Sequence, residues 1–494
     1  MNTYNQDLFI LIKSLEHTEK RYFLSYNSKS GDVDEKNFLL LFKAINKQKE
    51  YDERKLIDEF DRKGIITRKA FSNAKVHLYN TLLKHLEIYY SDSDKHHKIY
   101  SLIQQARILK DKALHKQSEK VLLKAKAIAQ GTNLPLELFH ISSLQLELST
   151  YNVTLEGQRE KVEKRFMEVD NALDILVLNN KYWKLFTQYY SLYCLGTLEN
   201  KGKEEEFELL MQNPLLKDET EARSYFSRNI FYTINIKYSH LNGNYEACYL
   251  FSKKSIEFME TFTERVKLSQ NVYVSYLNNH LIWCFGIDKK KEFLHTVNKI
   301  RGLKYTSMLA KISAFYSIAQ NELAFYIKYK EYDKALKQVK DIETGLTKFK
   351  GKYSRRIEHV IFINLSELYF LVKDFPKSIK WLNKFLQQKD AEVSTDFYKS
   401  ARLFYILLLL ESAEENILES QYRTTYSYFK KENWLGKFEL FMFNFIKAEL
   451  NGKTDKEKFR KQLKEIKMSF KDETFEKGVF GDFRFINWVE ERLK

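Results

Sequence analysis

Proline and glycine are scarce. The 494-residue chain has three prolines (Pro135, Pro214 and Pro376) and 15 glycines, against usual shares of about 5% and about 7%. Strand-and-turn folds draw on both residues for their turns, and flexible linkers draw on them for freedom. Their scarcity excludes both designs and predicts long helices joined by short polar turns. Cysteine is scarce too. Cys194, Cys248 and Cys284 are odd in number, far apart and free of any CxxC pair, so they are expected to be buried, reduced residues of a cytoplasmic protein rather than a disulfide framework. No uncharged apolar run approaches the roughly 18 residues of a membrane span. The longest apolar run, Leu403–Leu410, is flanked by Arg402 and Glu411. Residues 1–12 lack a basic stretch followed by an apolar one, which reads as no secretory signal.

Catalytic and cofactor signatures are also missing. The sequence holds no GxxxxGK[ST] or GxGxxG phosphate loop, no HExxH and no GxSxG elbow, and its histidines have no ligand spacing. No catalytic, cofactor-binding or metal-binding residue is assigned, and the chain reads as no enzyme.

What is present is material for a large core. Apolar residues make up 44% and aromatics 15%, with 37 Phe and 32 Tyr, too many for a disordered chain. The net charge is +16. A basic total admits an acidic partner or nucleic acid, but the charge is spread: residues 1–98 and 451–494 carry +3 each and the remaining +10 lies between them. No basic arm or tail exists.

Turn signals recur near Leu114, Leu155, Gly202, Asn244, Asp288, Glu331, Asp374, Glu415 and Gly452, a spacing near 42 residues. That length suits two helices of about 18 residues with short connections. In residues 312–329, Ile312, Phe315, Tyr316, Ala319, Leu323 and Tyr326 fall at helical spacing; in 332–346, Ala335, Leu336, Val339, Ile342 and Leu346 do the same. Each stripe needs a neighbour to cover it, so such hairpins must come in series. The reading is all-α: a helical region at 1–92, a solenoid of about eight hairpins at 93–452, and capping helices at 453–494. Phe480, Phe483, Phe485 and Trp488 are expected to fold back over the last hairpin.

The segment Glu331-Tyr332-Asp333-Lys334-Ala335-Leu336, with Tyr326 before it, resembles the turn and second-helix start of tetratricopeptide (TPR) repeats. Asp374-Phe375-Pro376-Lys377-Ser378-Ile379 with Tyr369 resembles it again, and Gly243-Asn244-Tyr245-Glu246-Ala247 is a looser copy. The remaining hairpins keep only the period, which exceeds the 34 residues of that family. The resemblance implies a right-handed solenoid of antiparallel hairpins, with Tyr245, Tyr326, Tyr332, Ala335, Tyr369, Phe375 and Ser378 packing them. It also implies that first helices, here near 219–241, 305–329 and 354–372, line a groove for a peptide or protein. Thr18-Glu19-Lys20-Arg21-Tyr22-Phe23 and Leu78–Lys84 resemble the leader of uncharacterised bacterial proteins of this type, to which no activity attaches.

Residues 51–91 offer the alternative. Leu56, Ile57 and Phe60 give one helix an apolar face, Gly64-Ile65-Ile66 makes a turn, and Thr67 is placed to cap a long second helix bearing Arg68, Lys69, Ser72, Asn73 and Lys75. A helix-turn-helix has this order, with base-edge and phosphate contacts from the second helix. Joined to a tetratricopeptide-like sensor, it resembles the plan of peptide-sensing DNA-binding regulators. Asp58, Glu59 and Asp61 oppose that use, because they repel phosphates. His96-His97 is expected in a solvated loop. Lys289-Lys290-Lys291 and Arg355-Arg356 read as solvated clusters at turns or helix starts. The favoured function is therefore a cytoplasmic scaffold that binds a protein or peptide, an acidic one by charge; nucleic acid is the alternative partner and no membrane is involved.

Overall fold

The computed structural model describes residues 6–27, 33–91, 94–151, 158–196, 203–352, 355–387, 395–412, 415–472 and 483–494. Among them all regular structure is helical and no strand occurs, and no helix is long and apolar enough to cross a membrane. The expected turns near Leu155 and Gly202, the residue Phe480, and the side chains of Phe483, Cys194 and Arg356 lie outside the described residues.

Two compact units part between Leu176 and Val177. The first contains α1 (Asp7–Ser14), α2 (His17–Asn27), α3 (Val33–Lys47), α4 (Glu53–Arg62), α5 (Phe71–Ser91), α6 (Lys95–Asp111), α7 (His115–Gly131), α8 (Pro135–Ser149) and the start of α9 (Gln158–Gly196). Its packing runs past the 92/93 boundary read from the sequence, because α5 packs on α6. The second unit continues with α10 (Lys203–Met211), α11 (Tyr225–Leu241), α12 (Tyr245–Glu260), α13 (Thr263–Leu268), α14 (Gln270–Gly286), α15 (Lys290–Gly302), α16 (Met308–Lys328) and α17 (Tyr332–Lys348). It ends with α18 (Arg355–Leu371), α19 (Phe375–Leu386), α20 (Thr395–Glu411), α21 (Glu415–Lys431), α22 (Lys437–Leu450), α23 (Lys456–Asp472) and α24 (Phe483–Leu493). Between 155 and 202, where the period predicted two helices, α9 runs unbroken for 39 residues. Nothing inside it stops a helix: no proline occurs, and its only glycine is its last residue.

One turn device joins the hairpins. Gly243, Asp288, Lys330 and Lys373 all take positive φ, at 67°, 57°, 57° and 60°. Each following N–H then reaches back five residues to a helix carbonyl: Asn244 to Ser239 at 2.8 Å, Lys289 to Cys284 at 2.9 Å, Glu331 to Tyr326 and Asp374 to Tyr369 at 2.8 Å. This closes the carbonyl end of the first helix. The side chains of Asn244 and Asp374 then accept from the N–H of Ala247 and Lys377 and open the second helix. Three of the four positions carry left-handed turns without glycine, at roughly 1–2 kcal/mol each.

Four residues past Leu114, Asn244, Glu331 and Asp374 a small side chain lets the two helices meet, whereas the large, buried Phe293 takes that place after Lys289. Ser118 Oγ donates to the Ala106 carbonyl at 2.7 Å, Cys248 Sγ to that of Ile236 at 3.2 Å, and Ser378 Oγ to that of Ser366 at 2.6 Å, while Ser366 Oγ returns a bond to the Ser378 carbonyl at 2.9 Å. Ala335 holds the same place and is fully buried. Tyr326, Tyr332, Tyr369 and Phe375 pack into the core that contains Ala335, and Tyr245 stacks near Trp283.

First helices also pack on first helices: α14 on α16, α16 on α18, and α20 on α22. Asparagine recurs in them at 43-residue steps, as Asn235, Asn278, Asn321 and Asn364. Asn278 Oδ1 accepts from Ser317 Oγ (3.0 Å), Gln320 Nε2 (3.3 Å) and Asn321 Nδ2 (2.7 Å), and Asn364 Nδ2 donates to the Gln320 carbonyl at 3.3 Å. Turn signals and apolar periodicity pass over this register, since one asparagine per hairpin looks like any surface residue until its partners are known.

Two substitutions test this packing. Ala335→Trp should overpack the α16–α17 hairpin and lower the melting temperature by several degrees. Asn278→Ala should strand three donors on α16 and cost about 2 kcal/mol in denaturant unfolding, whereas the same change at Asn279 should stay within about 0.5 kcal/mol.

Candidate functional site

The clearest ligand-like arrangement lies at the end of the second unit. The α24 segment FRFINWVEERL is amphipathic, and it buries Phe485, Ile486, Trp488, Val489 and Leu493. The trough that takes it has three walls. On α20, Phe404 and Glu411 stand seven residues apart, two turns along one face. On α22, Phe438, Phe445 and Glu449 form a matching row. On α23, Arg460 and Lys467 complete it. Phe485 meets Phe404 and Phe438 edge-on, with ring centroids 6.4 Å and 6.1 Å away. Trp488 meets Phe445 at 5.7 Å and donates its indole N–H to Glu411 at 2.7 Å. Arg492 places Nη2 2.7 Å from Glu411 and Nη1 2.7 Å from Glu449. Contacts advance together along α20 and α22, so α24 runs in the same direction as both and bridges them, and it runs opposite to α23. Arg460 donates to the Leu493 carbonyl, and Lys467 pairs with Glu490.

Electrostatics favour this seat. Burial works against the Arg492 charge, yet the hydrogen bonds to Glu449 and Glu411 outweigh it and hold the guanidinium pKa above its ordinary value. Arg492 also lies over the Trp488 ring, 5.1 Å from its centroid. Along the α23 side the fit is looser: a shallow depression of about 340 Å³ is lined by Arg460, Leu463, Lys464, Lys467, Glu490, Leu493 and Lys494.

A second cluster has the elements of nucleophilic chemistry. Ser252 Oγ lies 2.8 Å from His280 Nδ1, and Cys284 Sγ lies 3.4 Å from His280 Nε2. Ser252 spends its hydroxyl proton on the Tyr249 carbonyl at 2.8 Å, so it accepts from Nδ1–H and leaves Nε2 to accept the thiol proton. All three side chains are buried. Burial pushes the His280 pKa down to about 4 and the Cys284 thiol up to about 12. A neutral histidine beside a thiol held in its protonated form is a satisfied core triad rather than an activated nucleophile.

No family model, curated protein or solved structure matches the chain.

The other residues singled out by sequence fall as follows. Asp52 caps α4, Gly64 turns the chain with φ 65°, and α5 begins at Phe71. Thr67 therefore does not cap a helix spanning 67–91; it opens a separate turn over 68–70. Arg68 is held by Asp58 at 2.6 Å and gives its N–H to Asp61 at 2.9 Å. Lys75 pairs with Glu53 at 2.6 Å, while Lys69, Ser72 and Asn73 are exposed. The acidic residues that sequence reading set against phosphate binding thus engage one of its basic groups. His96 and His97 are not in a loop. They form the first turn of α6, capped by Asp94, and His96 Nε2 approaches Glu137 at 3.1 Å. Lys289 and Lys290 lie over the rings of Tyr249 and Tyr329. The first helices expected to line a groove are largely covered: on α18, residues 361–369 are buried in unbroken succession, so that helix offers no solvent-facing stripe there.

The triad makes a pH prediction. An exposed histidine titrates near ~6.5 and His280 near 4, so between those values the unfolded chain binds the extra proton. Stability should fall as pH drops through this window, by about 1 kcal/mol per unit from this residue. Urea unfolding of His280→Gln should show a shallower fall than the parent. Some slope should persist, because burial holds His240 near 4 as well.

Proposed function

We propose that the chain is a non-enzymatic protein-binding scaffold, a TPR-like α-solenoid whose last hairpins accept an amphipathic helix. The observation that carries the reading is the α20–α22–α23 trough. It seats a helix through two apolar rows and closes on it with the paired carboxylates Glu411 and Glu449. Helix-in-groove recognition uses this combination of apolar anchors with one charged clamp. Stacking of hairpins through Asn278 and its partners supports a continuous solenoid, and the small residues Ser378, Cys248 and Ala335 at the hairpin contacts agree with the resemblance to tetratricopeptide repeats. A cytoplasmic location and a bacterial origin belong to the same proposal.

Display of helical peptides on phage tests it. Selection on the full chain should enrich sequences with paired aromatic or aliphatic anchors and a basic residue one turn on. These should bind a Glu411→Lys/Glu449→Lys variant at least tenfold more weakly. Enrichment of no sequence, or of sequences indifferent to that variant, would remove this reading. The DNA-binding alternative is checked by anisotropy with random duplex. No binding is expected at about 150 mM salt, and a steep salt slope that an Arg68→Glu/Lys69→Glu variant flattens would restore it.

A further inference from the structure

We infer that α24 is a built-in competitor for the trough, so that the docking face of this chain is closed by its own C-terminal helix and opens to a partner helix carrying the same recognition pattern. This rests on the scaffold reading above and gives it a site, a partner chemistry and a regulation.

Three observations separate a competitor from a plain end cap. The first is position. A cap needs to cover only the exposed flank of the last hairpin, which is α22 and α23. α24 also reaches back to the preceding hairpin, through Phe485 to Phe404 and through Trp488 and Arg492 to Glu411.

The second is the way it is held. Four of its polar contacts are made with side chains at the rim: Trp488 to Glu411, Arg492 to Glu411 and Glu449, and Glu490 to Lys467. Glu449 is itself steadied by Thr454, whose hydroxyl donates to the other carboxylate oxygen at 2.5 Å. The two glutamates thus form a prepared receptor for one guanidinium. Arg492 is about one-third exposed, so the clamp closes at the surface and does not require the core to open first.

The third is fit. Phe485, Trp488 and Val489 are buried in the seat, but a depression remains on its α23 side, to which α23 contributes Arg460, Lys464 and Lys467. These three cations meet one acidic side chain there, Glu490. A partner helix that kept the apolar anchors and the arginine, and added acidic residues facing α23, would fill and neutralise this edge better than α24 does. The geometry therefore specifies the occupant: a protein segment forming an amphipathic helix, with large apolar residues at the spacing of Phe485, Ile486, Trp488, Val489 and Leu493, an arginine in the place of Arg492, and acidic residues on the α23-facing side.

The test uses the full chain and its Arg492→Glu variant, with a fluorescein-labelled synthetic peptide of residues 483–494 as probe. Hydrogen exchange and peptide anisotropy are read together. The variant should lose protection at 485–493 by at least tenfold, with Phe441–Ile446 of α22 unchanged, and should bind the peptide at least tenfold more tightly than the parent. Loss of protection in α24 and α22 together would make α24 an integral cap and overturn the inference. So would release of α24 without a gain in peptide binding, or no release at all. Phage-selected peptides that bind the parent while α24 stays protected would likewise overturn it, yet leave the scaffold reading standing.

Discussion

The amide of Asn278 sets how closely neighbouring first helices approach. Its Oδ1 takes three donors from α16 at once, from the buried Ser317 and Asn321 and the half-buried Gln320. A polar group in such a setting is stabilising only when fully paired. That condition fixes the register of α14 against α16 within a fraction of a helical turn. The same residue type recurs at 235, 321 and 364, and Asn364 carries the contact on by bonding the Gln320 carbonyl. Apolar stripes alone would hold these helices together but would tolerate sliding; the Asn278 amide selects one alignment of α14 on α16.

Position 407, one 43-residue step after Asn364, is leucine. There the polar register stops and α20 and α22 present apolar rows instead. Their free faces meet α24, and the charges that accompany it are gathered at the rim as Glu411, Glu449 and Arg492. The change from amide to leucine thus coincides with the change from hairpin stacking to helix docking. The buried Ser252–His280–Cys284 triad shows the opposite economy: groups with chemical potential are made inert by pairing and burial, and serve to specify the α12–α14 contact.

Much of the helix layout was legible. Turn residues at Asn244, Asp288, Glu331 and Asp374 fall at or beside the left-handed positions, because closing a helix C-terminus and opening the next helix demand particular local chemistry whatever the tertiary setting. The period misled between 155 and 202, where spacing alone implied a break that no residue in α9 enforces. Thr67 misled in the same way: it is a good cap by type, but the chain needs a further turn before Phe71 can enter the core beside Phe60. Open first helices were also expected, and α18 is instead buried along 361–369, since exposure depends on what packs from outside the hairpin.

The sequence by itself determined that this chain is helical and where most helices start and stop, for these follow from proline and glycine scarcity, 3–4 spacing of apolar residues and local capping. Only tertiary structure decided which polar residues meet. Asn278 and Asn321 are 43 residues apart, and Glu411 and Arg492 are 81. Nothing local to either partner marks the pairing, because a hydrogen bond or ion pair depends on three-dimensional proximity and on the loss of water around it. The trough and its occupant belong to that second class, which is why the site came from the fold and not from a motif.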